Sequence, residues 1–313
     1  MGGAAGTILR HSHVGQLLLR CRMLIMNKLL LLGAGVACAF TLPGSVALTI
    51  TATTTASALG ACQGASYQQG RLYLYGDREV GVIRAYRPGP DSLIYLGQEV
   101  KLTEKGQDVI NHPTGVAWNG SGPTFIGNSI RLNAEGTKWR AVIYAVDWAG
   151  LLRGGTLDGH LLNTIEDDAC VQGTRPEYVQ YQGKPYVVTA DYGPQGNEVR
   201  LYDPARLAKA HKTSEPGVLV KKFTCSPWVQ NLLWVPSKGT LVLIQNQVEG
   251  RRWRFTLLDL NQSLAAGHEV VRQIIDVDKA DELEGFTLFG DLSKGLAVTS
   301  SRRDNVHAVR LAW

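Results

Sequence analysis

The sequence predicts an all-β protein: a five-bladed β-propeller of four-stranded antiparallel blades, its ring closed by an N-terminal strand at residues 48–55. Three observations predict it. A hairpin signature recurs five times, further strand-like runs follow each copy, and the last copy lacks a fourth strand while a strand-like stretch ahead of the first lacks a partner. The 313 residues include 32 Lys and Arg, 27 Asp and Glu and 35 Gly, a globular composition that length alone allows as one large domain. Of the net charge of +5, Arg10, Arg20, Arg22 and Lys28 supply four units, all within the first 47 residues, where no acid occurs. The remainder is close to neutral, which excludes a basic nucleic-acid footprint.

Residues 1–47 read as a leader. From Met26, the expected start, Asn27 and Lys28 precede an apolar run (residues 29–36), then Pro43-Gly44 and the small residues Ser45, Val46 and Ala47. A basic start, an apolar core, a helix breaker and a small-x-small site form a secretory signal peptide, cut after Ala47. Rival cleavage sites end at Ala39 and Ala58, and residues 1–25 read as an upstream extension. Gly33, Gly35, Pro43 and Gly44 interrupt the run too often for a membrane anchor. Gly33-Ala34-Gly35 imitates a dinucleotide fingerprint but has no amphipathic helix after it, so no nucleotide cofactor is expected. Leu59-Gly60-Ala61-Cys62 imitates a lipobox but lies well downstream of the apolar core, which makes a lipoprotein the lesser alternative. The expected location is secreted or periplasmic.

Residues 48–313 read as one propeller domain, with blades starting near 63, 114, 177, 230 and 284. The repeated signature has an aromatic or apolar residue four positions after the first, a turn, and an Asp, Asn or Ser closing the hairpin. It reads Gln63, Tyr67, Asp77; Thr114, Trp118, Asn128; Glu177, Tyr181, Asp191; Gln230, Trp234, Asn246; and Glu284, Leu288, Ser300. Third strands follow, ending at Asp147, Asp203 and Asp259 in the middle blades, and fourth strands are expected at residues 93–102, 160–165, 218–224 and 269–277. The fifth unit ends after three strands, and the β-branched stretch 48–55 supplies the fourth. The single helical pattern, residues 204–212, is an excursion within the third blade.

In a propeller the innermost strands line a central channel, so the repeat places a ring of side chains at one mouth. His112 and Arg175 stand two residues before the first positions of their blades. The expected ligand-binding residues are His112, Arg175, Asn128 and Gln230. Glu177, Asp191 and Glu284, with the amide oxygen of Asn246, form an oxygen-rich set that suits a hard cation, and Ca²⁺ is the one expected. The competing explanation is turn chemistry: Asp and Asn end hairpins because their side chains bond nearby backbone. Tyr67, Trp118, Tyr181 and Trp234 read as blade-packing residues rather than as a sugar platform.

Two families are similar in short segments. Glu284-Gly285-Phe286 and Asn231-Leu232-Leu233-Trp234 resemble the Glu-Gly-Pro and Asn-Gly-Leu-x-Trp segments of the gluconolactonase and regucalcin group, whose Glu, Asn and Asp side chains hold a divalent metal that supports lactone or ester hydrolysis. That resemblance adds Asn231 to the expected metal ligands. Those proteins have six blades, and their Pro and second Gly are absent here. Residues 114–121 resemble a strand of the olfactomedin domain, a secreted five-bladed propeller with Ca²⁺ in its channel.

Among Cys62, Cys170 and Cys225, the last two lie on consecutive blade connections, and a Cys170–Cys225 disulfide with Cys62 free is expected. Zinc from three scattered Cys without a spaced His is not. Asn119 and Asn261 head glycosylation sequons, and Asn119-Gly120 also suits a tight turn. No serine-hydrolase elbow, phosphate loop or metalloprotease helix occurs. The function expected is therefore binding: an exported recognition module whose mouth loops, including residues 102–112 and 128–139, meet a small molecule, a glycan or an extracellular or periplasmic protein. A monomer is expected. The alternative is a metal-dependent hydrolase of the lactonase or esterase type at the same mouth, with Glu284, Asp191 and His112 as catalytic candidates.

Overall fold

The computed structural model describes residues 45–89, 92–170, 172–248 and 252–313. The start at Met26 and the apolar run of the leader lie outside these residues. Strand β1 (Ala47–Thr54) comes first, followed by β2 (Cys62–Gln68), β3 (Arg71–Asp77), β4 (Gly81–Pro88) and β5 (Leu93–Lys101), which form the first blade. A small hairpin, β6 (Thr103–Glu104) and β7 (Gln107–Asp108), leads to the second blade: β8 (Pro113–Ala117), β9 (Thr124–Arg131), β10 (Trp139–Val146), helix α1 (Trp148–Gly154) and β11 (Leu161–Glu166). The third blade is β12 (Glu177–Tyr181), β13 (Lys184–Ala190), β14 (Glu198–Tyr202), helix α2 (Pro204–Leu207) and β15 (Leu219–Thr224). The fourth is β16 (Val229–Val235), β17 (Thr240–Val248), β18 (Arg252–Asp259), helix α3 (Leu260–Ala266) and β19 (Val271–Val277). The fifth, β20 (Leu283–Leu288), β21 (Lys294–Thr299) and β22 (Val306–Ala312), takes β1 as its outer strand. The molecule is a five-bladed propeller closed by its N-terminal strand, with Ala47 opposite Ala312 and Thr54 opposite Val306.

Each strand of a blade's interior faces a neighbouring blade on both sides, which is why these strands read as nearly continuous apolar runs. In β3, Leu72 and Leu74 pack toward the fifth blade with Val298 and Val306, while Tyr73 and Tyr75 pack toward the second with Val116 and Ile126. Three further apolar layers fill the remaining gaps around the ring. Side chains extend from both ends of the closing strand's neighbourhood to hold it. The Gln273 amide accepts from the Val46 N–H at 2.7 Å and donates to the Val46 carbonyl at 2.6 Å, and the Asn305 amide does the same for Ala56 at 2.9 and 3.1 Å.

Two expectations are corrected. The helical excursion of residues 204–212 is, among the described residues, one of three short α-helices, and each is capped by the Asp at the end of a third strand. Asp147, Asp203 and Asp259 accept backbone N–H bonds as N-caps of α1, α2 and α3. Segments of four to seven residues are too short to show a helical period, so only the Asp-Pro pair of the third blade stood out.

The second correction concerns register. In four blades a β-bulge falls at the start of the inner hairpin, leaving Gln63, Thr114, Gln230 and Glu284 between paired neighbours. Glu177 instead pairs regularly, opposite Val188. The tight turns confirm the offset: Gln69-Gly70 (φ +49° and +82°) and Gln182-Gly183 (+50° and +74°) share one conformation, and counting back from them sets Glu177 level with Gly64, not Gln63. Arg175 and Pro176 occupy the stretch between the Thr174–Asp191 bridge and that pair, so Arg175 enters the ring and Glu177 lies one step along the channel.

Candidate functional site

The channel has two dissimilar mouths. At the one where the inner strands begin, the hairpin-closing residues anchor the incoming chain. Asp77 Oδ1 accepts the Ala61 N–H at 2.9 Å, Asn128 Oδ1 the His112 N–H at 3.0 Å, and Asp191 Oδ1 the Gln172 N–H at 3.1 Å. This is the turn chemistry that competed with a cation ring. Asp77 keeps its second oxygen for His112, whose Nδ1 lies 3.1 Å from Oδ2, both side chains about one third exposed.

Arg175 is buried and bridges blades. Its Nε and Nη2 donate to the Gln230 carbonyl and Oε1 at 3.3 and 3.1 Å, and Nη1 donates to the Gln172 carbonyl at 3.0 Å. Burial lowers its affinity for a proton, against the attraction of Asp191 and Glu284. The guanidinium lies 5.3 Å from the Tyr192 ring centre, and the Tyr192 ring packs tilted against Trp228 at 5.2 Å. Trp228 and Gln247 adopt φ +64° and +58°, a strained conformation for side chains of this size. Sequence reasoning missed Glu282, whose carboxylate accepts from Gln230, Asn246 and Ser300, each at 3.3 Å. Its signal was there: it precedes Glu284 by two, as His112 precedes Thr114 and Arg175 precedes Glu177.

At mid-height the channel is crossed by Tyr75 and Asn231. Asn231 Nδ2 donates to the Tyr75 hydroxyl at 3.0 Å and faces the carbonyls of Glu284 and Thr114 at 3.3 and 3.5 Å, so one amide ties four blades together. Gly64 makes room, because a Cβ there would stand 2.2 Å from the Tyr75 hydroxyl. Glu284 lies on the first-mouth side, where Glu282, Arg175 and Asp77 act on it. Burial, then repulsion from Glu282, pushes its carboxyl well above the usual range.

Of the expected metal ligands, Glu284 alone has both side-chain oxygens free of hydrogen bonds from the described residues. Asn231 Oδ1 accepts the Leu232 N–H at 2.8 Å, Asn246 Oδ1 the Tyr192 hydroxyl at 3.3 Å, and Glu177 Oε1 the Tyr178 N–H at 3.1 Å. Among the described residues no three His, Cys, Asp or Glu side chains gather closely enough to hold a metal ion.

The opposite mouth, where the inner strands end, opens on a cavity of about 220 Å³ lined by Tyr67, Trp118, Trp234 and Phe289, with Glu177 reaching in from the third blade. These aromatics do pack between blades, Tyr67 against Phe289 at 5.0 Å, yet three of the four that read as packing residues also wall this cavity. Tyr181 is buried against Tyr186 and does not.

The expected disulfide is absent: Cys62, Cys170 and Cys225 are free thiols. Arg200 intervenes, its Nη1 3.2 Å from the Cys170 sulfur. Burial pushes the Cys62 and Cys225 thiols up to about 12, so neither offers a thiolate nucleophile.

No protein-family model matches the chain, and no curated protein matches it. Solved structures do. Hydrazine synthase of Kuenenia stuttgartiensis aligns at 13% identity and a TM-score of 0.42 over 78% of this chain and 57% of its own. A Bacteroides fragilis protein described as a 6-phosphogluconolactonase aligns at 15% identity and 0.38, over 76% and 63%. The soluble aldose sugar dehydrogenase of Escherichia coli aligns at 8% identity and 0.46, over 86% and 99%. The chain thus spans less than two thirds of the length of the first two. No helix among the described residues is long and apolar enough to cross a membrane.

Proposed function

We propose that the protein is an exported binding module that takes an uncharged, oxygen-bearing ligand, a small molecule or the end of a glycan, at the mouth where the inner strands begin. One observation carries this reading. Gln63 and Glu284, bulge residues of adjacent blades, are buried, and no described residue hydrogen-bonds their side chains. Buried polar groups seek partners, and a ligand hydroxyl or carbonyl meets this need. Burial favours the protonated form of Glu284, which donates to an acceptor, and the Gln63 amide offers both a donor and an acceptor. Trp228 and Tyr192, tilted against each other with the Arg175 guanidinium over the Tyr192 ring, add aromatic surface at the same mouth. Export rests on the leader.

Ca²⁺ is the other way to satisfy Glu284, as its carboxylate, and stays within the proposal. Saturation-transfer NMR with aldoses, polyols and lactones tests the reading, with and without Ca²⁺. Binding that Glu284→Gln weakens supports it. Equal binding by that variant, or none in the millimolar range, contradicts it.

The hydrolase reading is favoured by one feature, the Asp77–His112 pair at the same mouth. A carboxylate bonded to Nδ1 leaves Nε2 as a candidate general base. Turnover of lactones or aryl esters that His112→Ala abolishes is its signature.

A further inference from the structure

We propose that the aromatic mouth is a second binding site, for a small organic ammonium ion. It is separated from the first mouth by the Tyr75–Asn231 crossing and stands independently of the ligand proposed there.

Glu177 is the anchor. It projects into the cavity from the third blade as the register correction requires, and its one hydrogen bond among the described residues is the N–H of its own neighbour, Tyr178. No described Lys, Arg or His forms an ion pair with it, and the influences on its carboxyl are burial and that single bond. The side chain is half-buried, and a partly desolvated carboxyl without a cationic partner gains from a ligand that brings the positive charge.

The walls point to the kind of cation. Tyr67, Trp118, Trp234 and Phe289 come from four blades, and ring faces attract a weakly hydrated organic cation more than they do a bare metal ion, which needs a full shell of oxygen ligands. A cavity of about 220 Å³ suits a trimethylammonium group with a short substituent and is small for a folded peptide.

Choline and its neutral isostere 3,3-dimethylbutan-1-ol separate charge from shape. Each is titrated into the purified protein, followed by calorimetry and by the fluorescence of Trp118 and Trp234. The wild type is expected to prefer choline by about ten-fold or more, the range that a desolvated cation–π site supports. Glu177→Gln, which keeps the side-chain shape, is expected to erase that preference. Calorimetry in two buffers of different ionisation heat provides a readout on the wild type alone: a carboxyl neutral in the empty site releases a proton when the cation enters. Equal binding of choline and isostere, no binding of choline in the millimolar range, or a preference that survives Glu177→Gln overturns the proposal.

Discussion

Glu177 and Glu284 lie on either side of the Tyr75–Asn231 crossing, and burial raises both carboxyls well above the usual range. For an acid raised in the folded state, the folded form binds the proton more tightly. The stability it lends is therefore complete below the ordinary carboxylate pKa of about 4.3 and is lost as pH rises toward the folded value. The double variant Glu177→Gln, Glu284→Gln should gain on the wild type in melting temperature from pH 4 to pH 8; a difference that stays flat with pH would contradict the assignment. The thiols give a second residue-scale expectation. Cys62, Cys170 and Cys225 should resist a thiol reagent in the native protein and react once it is unfolded, and the unreduced mass should show no disulfide. At this scale the sequence was only partly readable. Arg175 and Gln230 are hydrogen-bonded to each other and His112 pairs with Asp77, but Glu177 was misplaced by one residue because the bulge present in four blades is missing ahead of it, and composition gives no sign of a missing bulge. Glu282 was passed over although its position relative to Glu284 matched that of His112 and Arg175 in their blades.

Among the elements, β1 matters most, since it alone is supplied from far away in the chain. Its backbone pairs with β22, and Gln273 and Asn305 clasp the residues on its two sides. Asn305 is fully buried, so Asn305→Ala leaves two backbone groups of Ala56 without partners and should cost about 1–3 kcal/mol, measured by denaturant unfolding. An unchanged midpoint would show that the clasp is incidental. A chain cut after Ala47 keeps this clasp and loses the one on Val46, so Gln273→Ala should matter only where the mature N-terminus lies upstream of Val46. The strands were legible because sandwiching between blades makes each an apolar run bounded by turn residues. The helices were not: their Asp caps stand at or just after the ends of the third strands, where an Asp also suits a turn.

For the whole molecule, the ring was the most legible feature, because its period of roughly 55 residues repeats in one pattern of aromatic, turn and Asp or Asn. What the pattern could not disclose is that the mouth where the inner strands end holds a cavity. An aromatic that packs between blades and one that walls a cavity obey the same alternation, so Tyr67, Trp118 and Trp234 looked purely structural. Closure has its own test. Removing residues 48–55 exposes the β22 edge and strips a face from the apolar layer that holds Leu48 and Ile50. The truncated protein should aggregate or melt well below the parent, and equal stability would contradict a ring closed by this strand.

The reading of the molecule as a binder rather than a catalyst is tested most directly by calorimetric titration of aldoses, polyols and lactones into the wild-type protein. Binding gives heat that saturates and stops, whereas turnover gives heat that continues until the compound is consumed. The account predicts saturable heat for an uncharged, oxygen-bearing compound, weakened in Glu284→Gln. Sustained heat flow from a lactone, abolished in His112→Ala, would contradict it.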